Sequence, residues 1–540
     1  MSIHNPPKAL LDMLTSESKK TRKSAPVRGA DGINDLVPIG SRNDSMFKSA
    51  SGLRAKGMDF AEILAALRIA NIRNEEPLGD DELVGIATSV MRYTPNFDFT
   101  EYGVSDAFAL EIDGIVRYHE KLDWLVFDRT HWMQDPKGLR VQGALKAFID
   151  AKKDRIDADL HISQDEREML DKAIRGLRSA RKTRSVMDVM KSDPTVFDNS
   201  QWGDRPNTIN FLNGTLHLPS IELRPHDRKD RIMKCLTYEY DAAAECPNFD
   251  RVLADALDPE VAEYLLRLFA IALSGTGKLQ KFVLIDGEGQ NGKTTLVEAV
   301  ANALGGYAAA MDPSSLIKSN NKSNMNNDFV RLPDVRLVRM AEINQGQVLD
   351  ASVMKRATGG DVFVGRELYE NLGEFKVKAL PFMVANYAPV FDGADPALQR
   401  RITRVRFEKA VATSRIDPDL PEKLAKEAPG IMNRLLGALV RTDQEGLVVP
   451  TAVEQWTREL VLDSNPVAMF LEECCVRKEG TRTGSKALFS AFIVWLFNER
   501  NGSARMTQMA FNHAVERNWG IKLGRDKHGR CWKGIDLTRD

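Results

Sequence analysis

Gly287, Gly292, Lys293 and Thr294 stand at the spacing G-x-x-x-x-G-K-T within KFVLIDGEGQNGKTTL, residues 281–296. A loop of this composition can turn successive backbone N–H groups toward a polyphosphate, because glycine permits tight bends and close backbone approach. Lys293 then neutralises outer phosphate charge, and the Thr294 hydroxyl suits magnesium. The run Gly287, Glu288, Gly289, Gln290, Asn291, Gly292, Lys293, Thr294 and Thr295 is therefore the candidate nucleotide-binding loop, with ATP and Mg2+ as expected ligands. Two positions further on suit hydrolysis. Glu342 follows the strand-like VRLVRMA and has the chemistry to orient and deprotonate an attacking water. Asn386 closes VKALPFMVAN, where its amide can hydrogen-bond a γ-phosphate and the same water. In ALQRRITRVRF, Arg400 and Arg401 precede an alternating strand. An arginine that cannot reach its own loop can reach the nucleotide of a neighbouring subunit, a contribution of about 10³ to 10⁵ in rate where it occurs. Such an arrangement implies a ring.

The elements needed to hold these groups are legible around them. An apolar run precedes the glycine loop and a helix-forming run follows it, the strand–turn–helix order that the motif requires. A Leu-, Ile- and Ala-rich segment, Val261 to Leu273, predicts a helix leading into this region. TGGDVFVGRELYENLGEFKVKAL, 358–380, alternates apolar and polar residues about a polar tip and predicts a β-hairpin. Upstream, residues 1–37 read as a flexible basic arm and 38–98 as a small helical domain with apolar residues at helical spacing. Residues 99–245 read as α+β, with short strands such as WLVF and the pair NFLNGTLHL around a charged helical stretch at 162–192. Trp124 and Trp132 there read as core residues. A helical collar at 246–275 precedes the ATPase region at 276–447. Residues 448–540 end in helices and a basic turn, GRDKHGRCWKG.

Composition narrows the classes. With 75 basic and 76 acidic residues in 540, any nucleic-acid contact depends on local basic surface rather than on net charge. The five cysteines show no C-x-x-C spacing, so zinc is not expected and a reducing compartment fits. No signal pattern or membrane-length apolar run is visible, and a soluble cytoplasmic protein is expected.

Five blocks carry a resemblance to a known family: GEGQNGKTT at 287–295, LVRMAEINQGQVLD at 337–350, KRATGGDVFVGRELY at 355–369, PFMVANYAPV at 381–390 and QRRITRVRF at 399–407. Their order and spacing resemble Walker A, Walker B, the B-prime motif, sensor 1 and the arginine finger of superfamily 3 DNA helicases, in particular the phage, plasmid and poxvirus primase-helicases. The resemblance implies a multidomain α/β chain with an AAA+-like P-loop ATPase core and a winged-helix-like end. Lys293, Glu342, Asn386 and Arg401 become the catalytic set, with Thr294 and Glu342 on the metal and Arg401, rather than Arg400, as the finger acting in trans. The hairpin of such motors projects into a central channel, which makes Lys355, Arg366 and Tyr369 candidates for phosphate contact and base stacking. In the last domain Arg525, Lys527 and Arg530, with Arg505 and Gln508, would touch duplex DNA, a structural cap with a solvated basic hairpin being the other reading. One departure stands out: many relatives place two adjacent acids at Walker B, whereas here Ala341 precedes Glu342.

Residues 39–93 resemble the helical domain that follows the catalytic core of primase-polymerases, and 99–245 the domain accompanying the motor in phage and poxvirus relatives. Fewer than 40 residues precede the first, so no primase activity is expected from this chain. The resemblance implies a replicative helicase moving 3′ to 5′, assembled as a homo-oligomer, a hexamer, in a bacterial host cytoplasm, with DNA and a separate primase or polymerase as partners. Two rivals stay open: a replication initiator or loader that uses ATP only to switch assembly, and a nucleic-acid-sensing NTPase.

Overall fold

The computed structural model describes residues 42–55, 58, 60–72, 76–91, 98–158, 162–318, 329–341, 348–365, 373–389, 391, 395–410, 417–500, 506–527 and 529–538. The chain divides into two compact units, Met1–Trp202 and Gly203–Asp540.

In the first unit, helices Arg42–Ala55, Phe60–Asn71 and Asp80–Val90 surround a small core of Met46, Ala50, Ile63, Leu67, Leu83, Ala87 and Val90. Asn71 ties the connection down: its side chain bonds both the N–H and the carbonyl of Leu78 at 2.8 Å. Helix Glu101–Glu111 then leads to an antiparallel sheet of β1 (Val116–His119), β2 (Asp123–Phe127) and β3 (Trp132–Asp135), in that order. Trp124 and Trp132 are both buried, Trp132 edge-on to Trp202, so both act as core residues. Helices Leu139–Ala158, Gln164–Leu177 and Ala180–Met190 complete this part. The charged stretch at 162–192 is thus two helices broken at Arg178–Ser179, where Ser179 caps the second. Helix Leu139–Ala158 goes beyond the sequence reading. Its buried Val141, Ala144, Leu145, Phe148 and Ile149 keep helical spacing.

The second unit opens with an antiparallel sheet of β4 (Thr208–Phe211), β5 (Gly214–His217) and β6 (Glu222–Arg224). Helices Pro247–Ala256 and Pro259–Leu273 follow, and then a five-stranded parallel sheet. Its strands are β7 (Phe282–Asp286), β8 (Ala308–Met311), β9 (Leu337–Met340), β12 (Leu380–Ala385) and β13 (Ile402–Arg406), in the order β13-β7-β12-β9-β8. Alternate residues on each strand face opposite cores. Val283, Ile285, Leu337, Phe382 and Val405 pack toward helices Pro259–Leu273, Lys293–Leu304 and Ala428–Glu445. Phe282, Leu284, Val338, Met340 and Met383 pack on the other side with helix Ala351–Gly359. A parallel strand covered on both faces must be apolar at nearly every position, which is why the inner strands β7 and β12 read as apolar runs, whereas the edge strand β13 carries Thr403, Arg404 and Arg406.

Between β9 and β12 the expected hairpin forms its base from β10 (Val362–Gly365) and β11 (Gly373–Lys376), paired antiparallel from Val362↔Lys376 to Gly365↔Gly373. Phe363 fixes it, stacked on Phe329 at 4.6 Å and Phe375 at 5.8 Å, with the Arg356 guanidinium 4.5 Å from its ring centre. The chain ends in helix Pro466–Cys474, β14 (Cys475–Gly484), helices Ser485–Arg500 and Gln508–Trp519, and the hairpin β15 (Leu523–Asp526) and β16 (Gly529–Leu537). These strands form one antiparallel sheet, β14-β16-β15, over a core of Phe470, Leu471, Phe492, Phe511, Val515 and Trp532. A helix and strand therefore precede the two helices and basic hairpin visible in the sequence. Among the described residues no helix is long and apolar enough to cross a membrane.

Candidate functional site

The glycine-rich loop leaves the C-terminal end of the second strand in the sheet order, β7, and enters helix Lys293–Leu304. Gly292 takes φ +78° as the residue before that helix, a conformation costly for residues with a Cβ. Gly287 is held by crowding instead: a Cβ there would lie 2.3 Å from the Phe407 carbonyl oxygen and 2.4 Å from Asn291 Nδ2. Asn291, itself buried, donates from Nδ2 to the carbonyls of Glu288 at 2.7 Å and Phe407 at 2.9 Å. The loop is thus clamped to the end of β13 as well as to its own strand.

Lys293 is only 5% exposed, and its Nζ donates to Asn386 Oδ1 at 2.7 Å, the Gly287 carbonyl at 3.0 Å and Asn291 Oδ1 at 3.2 Å. Residues 93 positions apart in sequence, singled out separately, are therefore in direct contact. A cleft of about 270 Å³ opens beside them, lined by Lys293, Thr294, Val297, Glu298, Arg339, Met340, Ala341, Val384, Ala385 and Asn386. A cation, a hydroxyl and an amide on its wall fit a polyphosphate, and the Thr294 hydroxyl is a hard oxygen of the kind magnesium takes. Among the described residues no group of three or more His, Cys, Asp or Glu could hold a metal by itself. Glu342 lies outside the described residues, as do Arg366, Tyr369, Arg505 and the basic arm.

Arg401 lies at the other edge of the sheet. β13 runs parallel to β7 with Ile402 beside Phe282 and Arg406 beside Asp286, so Arg401 and the glycine loop are separated by about five residues of strand, roughly 16 Å. Its Nη1 donates to the Ala397 carbonyl at 2.8 Å and its Nη2 to Gln280 Oε1 at 3.4 Å, while its Nε is buried with no hydrogen-bond partner among the described residues. Lys281 Nζ donates to the Arg400 carbonyl at 2.9 Å, and burial lowers the pKa of that ammonium. Arg400 itself is exposed.

Lys355 pairs with Asp395 at 2.7 Å. Burial tends to raise the Asp395 carboxyl, but Lys355 and the N–H groups of Ala397 and Leu398 outweigh it and hold it below the usual carboxylate range. In the last domain Arg525, Lys527 and Arg530 are exposed on the β15–β16 hairpin, and Gln508 donates to Ser485 Oγ at 3.2 Å.

Two charge pairs escaped the sequence reading. Asp286, the last residue of β7, accepts from Arg404 of β13 at 2.9 and 2.6 Å, both side chains being buried. An acid ending an apolar strand and an arginine inside ITRVR were the available signals, but pairing them required knowing that these strands are neighbours. The second pair joins Glu298, on the helix after the loop, to Arg339 of β9.

Two family models match parts of this chain. Residues 33–96 match the family described as Primase C terminal 1 (PriCT-1), and residues 105–258 the family described as D5 N terminal like. The chain is 27% identical over 299 residues to "Putative helicase L207/L206" of Acanthamoeba polyphaga mimivirus, covering 51% of this chain and 31% of that protein. It is 25% identical over 244 residues to "Primase D5" of Fowlpox virus (strain NVSL), covering 42% and 30%. The chain therefore spans about a third of the length of these relatives. The solved "A form apo structure of NrS-1 C terminal region-CTR" overlays at a TM-score of 0.45 and 9% identity, over 81% of this chain and 98% of that one, too distant a likeness to argue from. The fold itself is multidomain α/β, built on a five-stranded parallel sheet and many helices. Over 42–51% of its length the chain is similar to these proteins of large DNA viruses, one named a helicase and the other a primase.

Proposed function

We propose that this chain is an ATP-dependent replicative DNA helicase of the phage, prophage or plasmid type, working as a ring with ATP at subunit interfaces. The observation that carries this reading is the convergence of Lys293, Thr294 and Asn386 on one cleft while Arg401 stands at the far edge of the same sheet. Strand order supports an AAA+-like P-loop core: numbered along the chain, the five parallel strands run 5-1-4-3-2. Magnesium would neutralise phosphate charge as the terminal bond breaks. Lys293 binds and orients the outer phosphates, Thr294 offers its hydroxyl to the metal, and Asn386 positions the attacking water. Glu342 takes the proton from that water. Arg401 serves the site of an adjacent subunit, a reading supported by its separation of roughly 16 Å from its own loop. The hairpin, with Lys355, Arg366 and Tyr369, faces single-stranded DNA in the channel. The last domain, whose order of helix, strand, two helices and hairpin supports a winged helix, offers Arg525, Lys527 and Arg530 to duplex.

The test is unwinding of a forked DNA duplex by the purified protein with ATP and Mg2+. We expect strand displacement by the native chain, and its loss by at least about a hundredfold in Lys293→Ala and Arg401→Ala, given the transition-state charge each would carry. DNA-stimulated hydrolysis without displacement on 3′-tailed, 5′-tailed and forked substrates would replace the helicase reading with that of an ATP-switched initiator or loader.

A further inference from the structure

We infer that Glu298 serves as the second acid of the nucleotide site, a positioning residue that accepts hydrogen bonds from the water shell of magnesium and is itself oriented by Arg339. The inference rests on the proposed ATP site and names a residue of it that the sequence motifs leave out.

Four observations converge. First, Ala341 lines the cleft beside Thr294, so the position where an acid would precede Glu342 presents only a methyl group to the site. Second, Glu298 is the one carboxylate among the described residues lining that cleft. Third, it stands four residues after Thr294 on helix Lys293–Leu304, which places the two on the same face one turn apart. Helical side chains lean toward the N-terminus, so the Glu298 carboxylate is carried toward Thr294 and the loop rather than away from them. Fourth, its orientation is fixed from across the cleft by the Arg339 guanidinium.

The sheet explains why Arg339 can do this. Along β9, Leu337 packs into the core on the side of helix Lys293–Leu304, while Val338 and Met340 pack into the opposite core. The alternation of a strand therefore turns Arg339 and Ala341 to the same face as Leu337, over the helix that bears Thr294 and Glu298. A structural ion pair joining a helix to a sheet has no need of a cleft. Both partners of this one are about one-third exposed and stand on the wall that also carries Lys293, Thr294 and Asn386. Magnesium keeps several of its waters when it binds with phosphate, and each such water has protons to donate to a carboxylate beyond the inner ligands. A carboxylate supplied from the helix can thus replace one missing from the strand.

The experiment is binding of a non-hydrolysable ATP analogue, measured by calorimetry with Mg2+ and again in EDTA, on the full chain. The readout is the ratio of the two affinities. In Glu298→Gln, nearly isosteric with the native residue, we expect that ratio to fall about tenfold, the loss typical when a group behind the inner metal ligands is removed. Arg339→Met should lower it in the same direction. Adding Ala341→Asp to Glu298→Gln should restore it, because an acid returned to the strand replaces one lost from the helix; repair of mere packing damage at Glu298 would not follow. An unchanged ratio in Glu298→Gln, or a fall that Ala341→Asp leaves uncorrected, overturns the inference and leaves the ATP site standing. Absence of analogue binding by the native chain overturns both.

Discussion

At the scale of single residues, the site depends on buried charges that are held as pairs. Asp286 lies directly before the glycine loop, and Arg404 meets its carboxylate with two nitrogens. Removing one partner from such a pair leaves the other without compensation away from water, at a cost of about 3–5 kcal/mol, whereas replacing both with apolar or neutral groups restores much of it. Arg404→Met is therefore expected to destabilise the second unit by about 3–5 kcal/mol. The double variant Asp286→Asn/Arg404→Met should recover more than half of that loss. Chemical denaturation followed by tryptophan fluorescence checks both, and equal midpoints for Arg404→Met and the native chain would show that the pair does not hold the loop. The buried cysteines belong to a different case. Burial pushes the thiols of Cys246 and Cys475 up to about 12, so neither is a thiolate near neutral pH and both pack as small apolar groups.

At the scale of elements, the base of the hairpin is anchored in a core. It is fixed by Phe363, fully buried between Phe329 and Phe375. Phe363→Ala removes that plug at a cost of about 3–5 kcal/mol. Amides of 362–365 and 373–376 should then exchange hydrogen much faster than those of β7 and β12, measured by mass spectrometry; uniform change across all four strands would mean that the hairpin has no independent anchor. This element was legible in the sequence because apolar alternation stops at a polar tip and resumes after it. The parallel strands were legible for another reason: burial on both faces leaves them almost no polar positions, so VLI and FMV stand out even without periodicity. Helix Leu139–Ala158 was readable in principle, since Val141, Ala144, Leu145 and Phe148 keep helical spacing, but Gln142, Gly143 and Lys146 among them and the charged run from Asp150 to Asp157 after them obscure a narrow stripe. The contacts of Lys293 with Asn386 and of Asp286 with Arg404 depend on strand adjacency across 93 and 118 residues, and no local pattern encodes that adjacency. Motif order made the first pair suspect; nothing comparable pointed to the second.

At the scale of the whole molecule, the two edges of one sheet carry different duties. Lys293 sits beyond the C-terminal ends of the strands and Arg401 before the N-terminal end of β13. If the site is completed by a neighbour, Lys293→Ala and Arg401→Ala subunits that are inactive alone should regain ATPase when mixed. Some interfaces then combine an intact loop from one subunit with an intact arginine from the other. Activity in such rings should reach a sizeable fraction of native, measured by phosphate release after mixed assembly is verified. No recovery in verified mixed rings would confine each site to a single subunit.

Dividing this molecule into working fragments is constrained by Arg336, just before β9. Its side chain is 1% exposed, pairs with Asp204 at 2.5 Å, donates to the carbonyls of Leu273, Arg205 and Thr208, and lies 4.6 Å over the ring of Tyr307. Three of those four acceptors come from residues 204–208, some eighty positions before the loop. A fragment begun at the collar or at the loop would seal a guanidinium inside the protein with most of its acceptors cut away. A fragment that keeps those acceptors accordingly starts by Gly203, and the short β4–β6 sheet is part of its foundation rather than an accessory carried in front of it.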